Sequence, residues 1–183
     1  MAKAFAQRSL ADLPTGCIPT YTGKTVNPLA LRPEDICIED IAHHLSMLCR
    51  WTGAMREFYS VAEHSIRVSY TVPPQDALWG LLHDAPEAYL GDLGRVLRSD
   101  PVLGARYDEL EERAMDAIVA AFPLARRMPD SVRFADDHEA ARECQALWRP
   151  LVWGRSDRVE TMPPGQAALE FLNRYRELTE DAP

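Results

Sequence analysis

Residues 59–93, YSVAEHSIRVSYTVPPQDALWGLLHDAPEAYLGDL, constrain this chain more than any other stretch. His64, the adjacent pair His83-Asp84, Glu87 and Asp92 stand there among Val, Ile, Leu, Ala and Trp. A fold that buries the apolar residues draws these ionisable groups toward its interior. An isolated charge in such surroundings is costly unless it is paired or bound to a metal. Imidazole and carboxylate together form a donor set for a divalent first-row ion. The pattern therefore points to a lined pocket with a cation site.

Length and charge narrow the choices. At 183 residues the chain has room for one domain with a full core. A net charge of −8 argues against a general nucleic-acid binder, whose affinity depends on neutralising phosphates. It leaves open a small phosphorylated ligand, held locally by a metal and a few arginines. Cys17, Cys37, Cys49 and Cys144 form no CxxC pair, so a structural zinc site is not expected. With no signal-peptide pattern, the expectation is a cytoplasmic protein with reduced thiols. No apolar run is long enough to span a bilayer, so no membrane partner is expected.

Residues 1–35 carry Pro14, Pro19, Pro28 and Pro33 and little periodicity. They read as an irregular N-terminal arm, with a short strand or hairpin near residues 18–26. Gly23-Lys24-Thr25 is not a P-loop, because Ile18 stands where the motif needs its first glycine. Residues 36–183 form the main domain. A first helix is predicted over 38–48, with Ile38, Ile41, Leu45 and Leu48 on one face. His43 and His44 on this helix read as packed or surface residues. The periodicity breaks at Gly53. Ser60 and Glu63 form a capping box that opens a helix carrying His64 in its second turn.

Pro73-Pro74 separates that helix from a second one that ends at His83-Asp84, where Pro86 ends or restarts it. Adjacent side chains on a helix diverge by about 100°, yet both can reach one ion lying between helices. Glu87 follows His83 by one turn. A long amphipathic helix is predicted over 102–122, with Leu103, Tyr107, Leu110, Ala114 and Ile118 inward. Its acids, from Asp108 to Asp116, read as a solvated face. Asp130 caps a helix over 131–149. A last helix over 165–179 turns Ala168, Leu169, Leu172 and Tyr175 inward. The predicted class is all-α, a helical bundle.

One joint pattern is specific: His64, then His83-Asp84 nineteen residues on, then Glu87 and Asp92, then Ala135-Asp136 on a later helix. It resembles the signature of the HD-domain phosphohydrolases, and the resemblance covers about residues 36–178. Within that family the chain resembles bacterial 5′-deoxynucleotidases and compact phage enzymes that strip the phosphates from dATP. The resemblance implies His64, His83, Asp84 and Asp136 as metal ligands. Glu143, seven residues after Asp136, fits the family's pattern and selects Asp136, with Asp137 as the alternative. It also implies Arg50 and Trp51 as substrate-binding residues in a nucleotide pocket, and Glu87 and Asp92 as catalytic acids. Arg suits phosphate and an indole face suits sugar or base.

Mn²⁺, Co²⁺, Zn²⁺, Fe²⁺ or Ni²⁺ would each suit two nitrogens and two oxygens. The expected activity is metal-dependent release of phosphate from deoxynucleotides. Its alternatives are triphosphohydrolysis of dATP and a catalytically silent nucleotide-binding module. A small-molecule deoxynucleotide is the expected partner, and homo-oligomerisation is expected from the family. The triphosphate reading needs further cations at the site, and Arg56, Arg67, Arg95 and Arg98 are candidates.

Overall fold

The computed structural model describes residues 13–147 and 159–180 of the chain. The fold is all-α. Among the described residues the first regular elements are two short antiparallel strands, β1 (Ile18–Pro19) and β2 (Thr25–Val26), with Ile18 paired to Val26. This hairpin lies within the predicted span and packs onto the helices. Val26 is buried, and Thr22 donates from its backbone N–H and its hydroxyl to buried Asp40. Lys24 serves structure, as its Nζ lies 3.0 Å from the Glu34 carbonyl and also reaches those of Asp35 and Ile36.

The helices follow as α1 (Ile38–Met47), α2 (Val61–Thr71), α3 (Ala77–Leu82), α4 (Glu87–Leu90), α5 (Arg95–Arg98), α6 (Leu103–Ala121), α7 (Asp130–Leu147) and α8 (Pro164–Glu180). Helix α2 is the hub, packed against α1, α3, α7 and α8. Its start is fixed by the predicted capping box. The Glu63 N–H donates to Ser60 Oγ, and Glu63 Oε2 accepts from the Ser60 N–H. Glu63 is itself buried, and its other oxygen accepts from the Met162 N–H at 2.7 Å. One side chain thus caps α2 and anchors the approach to α8.

The main core joins Ile41 and Leu45 of α1, Leu81 and Leu82 of α3, Ile118 of α6 and Phe171 of α8. Two sequence-predicted faces hold in part: on α6 Ala114 and Ile118 are buried and Tyr107 and Leu110 half-buried, and on α8 Leu172 and Tyr175 pack against the core. Leu103, at the start of α6, is exposed, and the buried stripe of that helix begins at Gly104 and resumes at Ala114. On α8 the fully buried residues are Ala167 and Phe171, while Leu169 faces solvent. Apolar residues occur on both sides of α8, and packing against α1 selects the one carrying Phe171. The last two residues predicted for α7, 148 and 149, lie outside the described residues.

Helix α3 packs closely on α2 at Gly80. A Cβ built there would lie 3.0 Å from Ser69 Cα and 3.2 Å from Val72 Cγ2. That approach sets His64, on α2, across from His83 at the end of α3, with ring centroids 5.2 Å apart. Gly80→Val should therefore destabilise the fold by about 1–3 kcal/mol, the usual cost of overpacking. This exceeds the ~0.5–1 kcal/mol that a helix gains by losing a glycine. Urea unfolding would show the fall, and an unchanged midpoint would contradict so tight a crossing.

Candidate metal centre

Three side chains converge where α2 meets the end of α3. One ligand atom from each of His64, His83 and Asp84 lies within 4.8 Å of the others, so the group could hold a metal ion. The histidine tautomers follow from their outer partners. His64 Nδ1 lies 2.5 Å from Glu143 Oε1, an acceptor, and His83 Nδ1 lies 2.8 Å from the Gly80 carbonyl. Both Nδ1 atoms therefore donate, and both Nε2 atoms turn toward the cluster. This orientation by a carboxylate and a carbonyl is how metal-binding imidazoles are held.

The inner atoms are left without hydrogen bonds. His64 Nε2, His83 Nε2 and Asp84 Oδ2 are buried, and among the described residues none has a hydrogen-bond partner. Buried polar atoms rarely go unsatisfied, and an ion is one of the standard explanations. Two nitrogens and an oxygen fit a borderline divalent cation.

Asp136, on α7, joins the rim of this group. Its Oδ1 is 3.0 Å from His64 Nε2 and 3.9 Å from His83 Nε2. Asp137 and His138 are exposed, as the helical phase requires. Of the two candidate acids, only Asp136 thus lies against the histidines.

The electrostatics agree with a cation site. Burial works against a charged His83, yet the charges of Asp84 and Asp136 raise its imidazole to about 9. Burial alone would raise the Asp84 carboxyl, but His83, His64 and Arg50 hold it well below the usual range. Desolvation, reinforced by Asp84 and Asp92, pushes the Glu87 carboxyl well above its ordinary value. Glu87 is buried, and its Oε2 has no hydrogen-bond partner among the described residues. Asp92 is raised in the same way, by desolvation and by Asp84. It follows Gly91, whose positive φ of 79° ends α4 and whose carbonyl accepts from the Tyr107 hydroxyl.

Arg50 and Trp51 complete the site. Glu143 Oε2 accepts from Arg50 Nε at 3.1 Å and from Trp51 Nε1 at 3.0 Å. Arg50 Nη1 also lies 3.6 Å from Asp84 Oδ2. The loop that carries them is strained: Trp51 and Thr52 both adopt left-handed backbone, with φ of 56° and 55°. Such a conformation costs non-glycine residues roughly 1–2 kcal/mol each. Bonds from the Arg50 N–H to the Tyr59 carbonyl and from the Arg56 N–H to the Leu147 carbonyl hold it in place. Strain kept this close to a pocket marks a positioned loop.

No family model matches the sequence. The chain is 33% identical over 174 residues to the uncharacterized protein YfdR of Escherichia coli (strain K12). That alignment covers 89% of this chain and 96% of YfdR. The chain belongs to the family of YfdR. An uncharacterized protein of Rhodobacter capsulatus is also similar, at 36% identity over 183 residues, covering 86% of this chain and 92% of that protein. Neither name states an activity.

In this YfdR-family chain, six of the eight sequence-predicted site residues meet in one cluster. His64, His83, Asp84, Asp136, Arg50 and Trp51 are joined by the distances above. Glu87 and Asp92 share the electrostatic field of Asp84. Sequence reasoning used Glu143 only to place Asp136 and missed that it orients His64. The available signal was its helical spacing, two turns after Asp136. Glu143→Gln should weaken Mn²⁺ or Co²⁺ binding by about 10–100-fold, the usual effect of losing an orienting partner. Metal titration by calorimetry would check this, with the helical circular-dichroism spectrum as the fold control. Unchanged affinity would remove Glu143 from the account.

Proposed function

We propose that this chain is an HD-type, metal-dependent phosphohydrolase that releases phosphate from small deoxynucleotides. The observation that carries the reading is the buried group His64 Nε2, His83 Nε2 and Asp84 Oδ2, ligand-type atoms without a hydrogen bond among the described residues and faced by the charges of Asp136 and Arg50. His64, His83, Asp84 and Asp136 would hold a divalent ion of the Mn, Co, Zn, Fe or Ni type. When bound, such an ion supplies Lewis-acid chemistry at a phosphate oxygen.

The chain's own residues do the rest. Arg50 is kept charged, because Glu143 and Asp84 outweigh the effect of its burial. It binds phosphate through donors that Glu143 leaves unused. Glu87 favours its protonated form and can donate to a substrate oxygen. Asp92, at the rim, accepts a proton from the attacking water or orients a sugar hydroxyl. Trp51, held through Glu143 and flanked by the guanidinium groups of Arg50 and Arg95, contributes its indole to the sugar site.

One observation keeps the triphosphate reading as a second possibility. Arg56 is engaged by the carbonyls of Ala146 and Leu147, Arg67 by that of Glu160, and Arg98 by Glu111 and Asp108. Arg95 lies with its guanidinium carbon 5.9 Å from the Trp51 ring centroid. Arg95 has neither hydrogen bond nor ion pair among the described residues, so it can meet further phosphates.

Purified protein supplied with Mn²⁺ or Co²⁺ should release inorganic phosphate from deoxynucleoside monophosphates. Asp92→Asn should lower kcat by about 100-fold or more while metal binding persists. His83→Ala and Asp84→Ala should lose both metal and activity and stay folded. Release of every phosphate from dATP, with monophosphates untouched, would favour the second reading. Metal binding without turnover of any nucleotide would replace hydrolysis with a silent binding module.

A further inference from the structure

A cleft of about 460 Å³ opens beside the histidine–acid cluster, between the hairpin, α1 and α4. That volume suits a small organic ligand. Tyr21, His43, Met47, Leu48, Glu87 and Ala88 are among its lining residues. Glu87 lies one turn after Asp84, with its N–H donating to the Asp84 carbonyl at 3.0 Å, so the cleft is one helical turn from the candidate metal centre.

The cleft carries a flat aromatic shelf. The Tyr21 ring stacks on His43, with centroids 3.8 Å apart and planes 12° from parallel. Tyr21 and Met47 are exposed. The shelf is held by the backbone rather than by the rings. The Tyr21 N–H donates to His44 Nε2 at 3.1 Å, which leaves His44 Nδ1 to donate to the Ala88 carbonyl at 2.7 Å. Thr22 fastens the same turn to Asp40. Hairpin, α1 and α4 are thereby locked around the opening. Glu87 is among the lining residues, and its Oε2 is buried without a hydrogen bond among the described residues.

A flat shelf and an adaptable thioether suit a planar heterocycle. We propose that this cleft is a nucleobase subsite, with the stacked Tyr21–His43 pair as its platform. The N-terminal hairpin thereby takes part in choosing the nucleotide. This assignment rests on the deoxynucleotide reading of the neighbouring centre.

Tyr21→Ala tests it, since the exposed ring is removed while the backbone bond to His44 stays. In the Mn²⁺-loaded full chain, KM for deoxynucleoside monophosphates should rise by about tenfold or more. The value of kcat should stay within about twofold. Deoxyribose 5-phosphate, which has no base, should show no change, and Tyr21→Phe should behave as the unaltered chain. Equal KM values for nucleotides in Tyr21→Ala would overturn the subsite while leaving the phosphohydrolase reading intact. If the unaltered chain hydrolyses no nucleotide, that reading fails. Calorimetric binding of deoxyadenosine then decides the subsite: binding weakened by Tyr21→Ala sustains it, and no binding overturns it.

Discussion

Glu143 holds the candidate centre together. One oxygen fixes His64 through Nδ1, and the other accepts from both Arg50 and Trp51. Burial would raise this carboxyl, yet His64, Arg50 and Trp51 bring it below its usual range. A buried carboxylate survives only when such partners offset its desolvation. Removing it would strand the Arg50 charge and free the His64 ring to rotate. It would also loosen the loop in which Trp51 and Thr52 are held left-handed. The histidine, the arginine and the strained loop therefore depend on one side chain, buried at the end of α7.

The fold supplies the geometry that this carboxylate fixes. Helix α2 is capped by Ser60 and Glu63, which starts the helix at a defined residue and so fixes the phase of His64. Helix α3 comes close because Gly80 has no side chain against Ser69, and its last turn brings His83 and Asp84 opposite His64. The hairpin closes another side through Thr22, Asp40 and His44. Each contact is local and ordinary, and together they leave three ligand-type atoms buried and facing one another.

Much of this was legible in the sequence where its cause is local. The capping box needs four consecutive residues, and the helical phase around Asp136 separates it from Asp137 and His138. The resemblance carried by His64, His83-Asp84 and Asp136 together implied one site, and the first three do converge. The part played by Glu143 was not legible, because its partners lie 79 to 93 residues away in the chain. The left-handed backbone at Trp51 and Thr52 was equally hidden, since neither residue type signals it. The inward face of α8 was legible in part: Leu172 and Tyr175 pack against the core as expected, while Leu169 and Phe171 are both apolar and only packing against α1 decides between them. The cleft behind Tyr21 arises from a hairpin whose partners are on α1 and α4, beyond the reach of local pattern.

The most direct test is anomalous diffraction from crystals of the protein grown or soaked with Mn²⁺ or Co²⁺. The account predicts one strong peak per chain, at about 2.0–2.3 Å from His64 Nε2, His83 Nε2 and an Asp84 carboxylate oxygen. A peak elsewhere, or none at this cluster at millimolar metal, would contradict the centre on which the proposed chemistry rests.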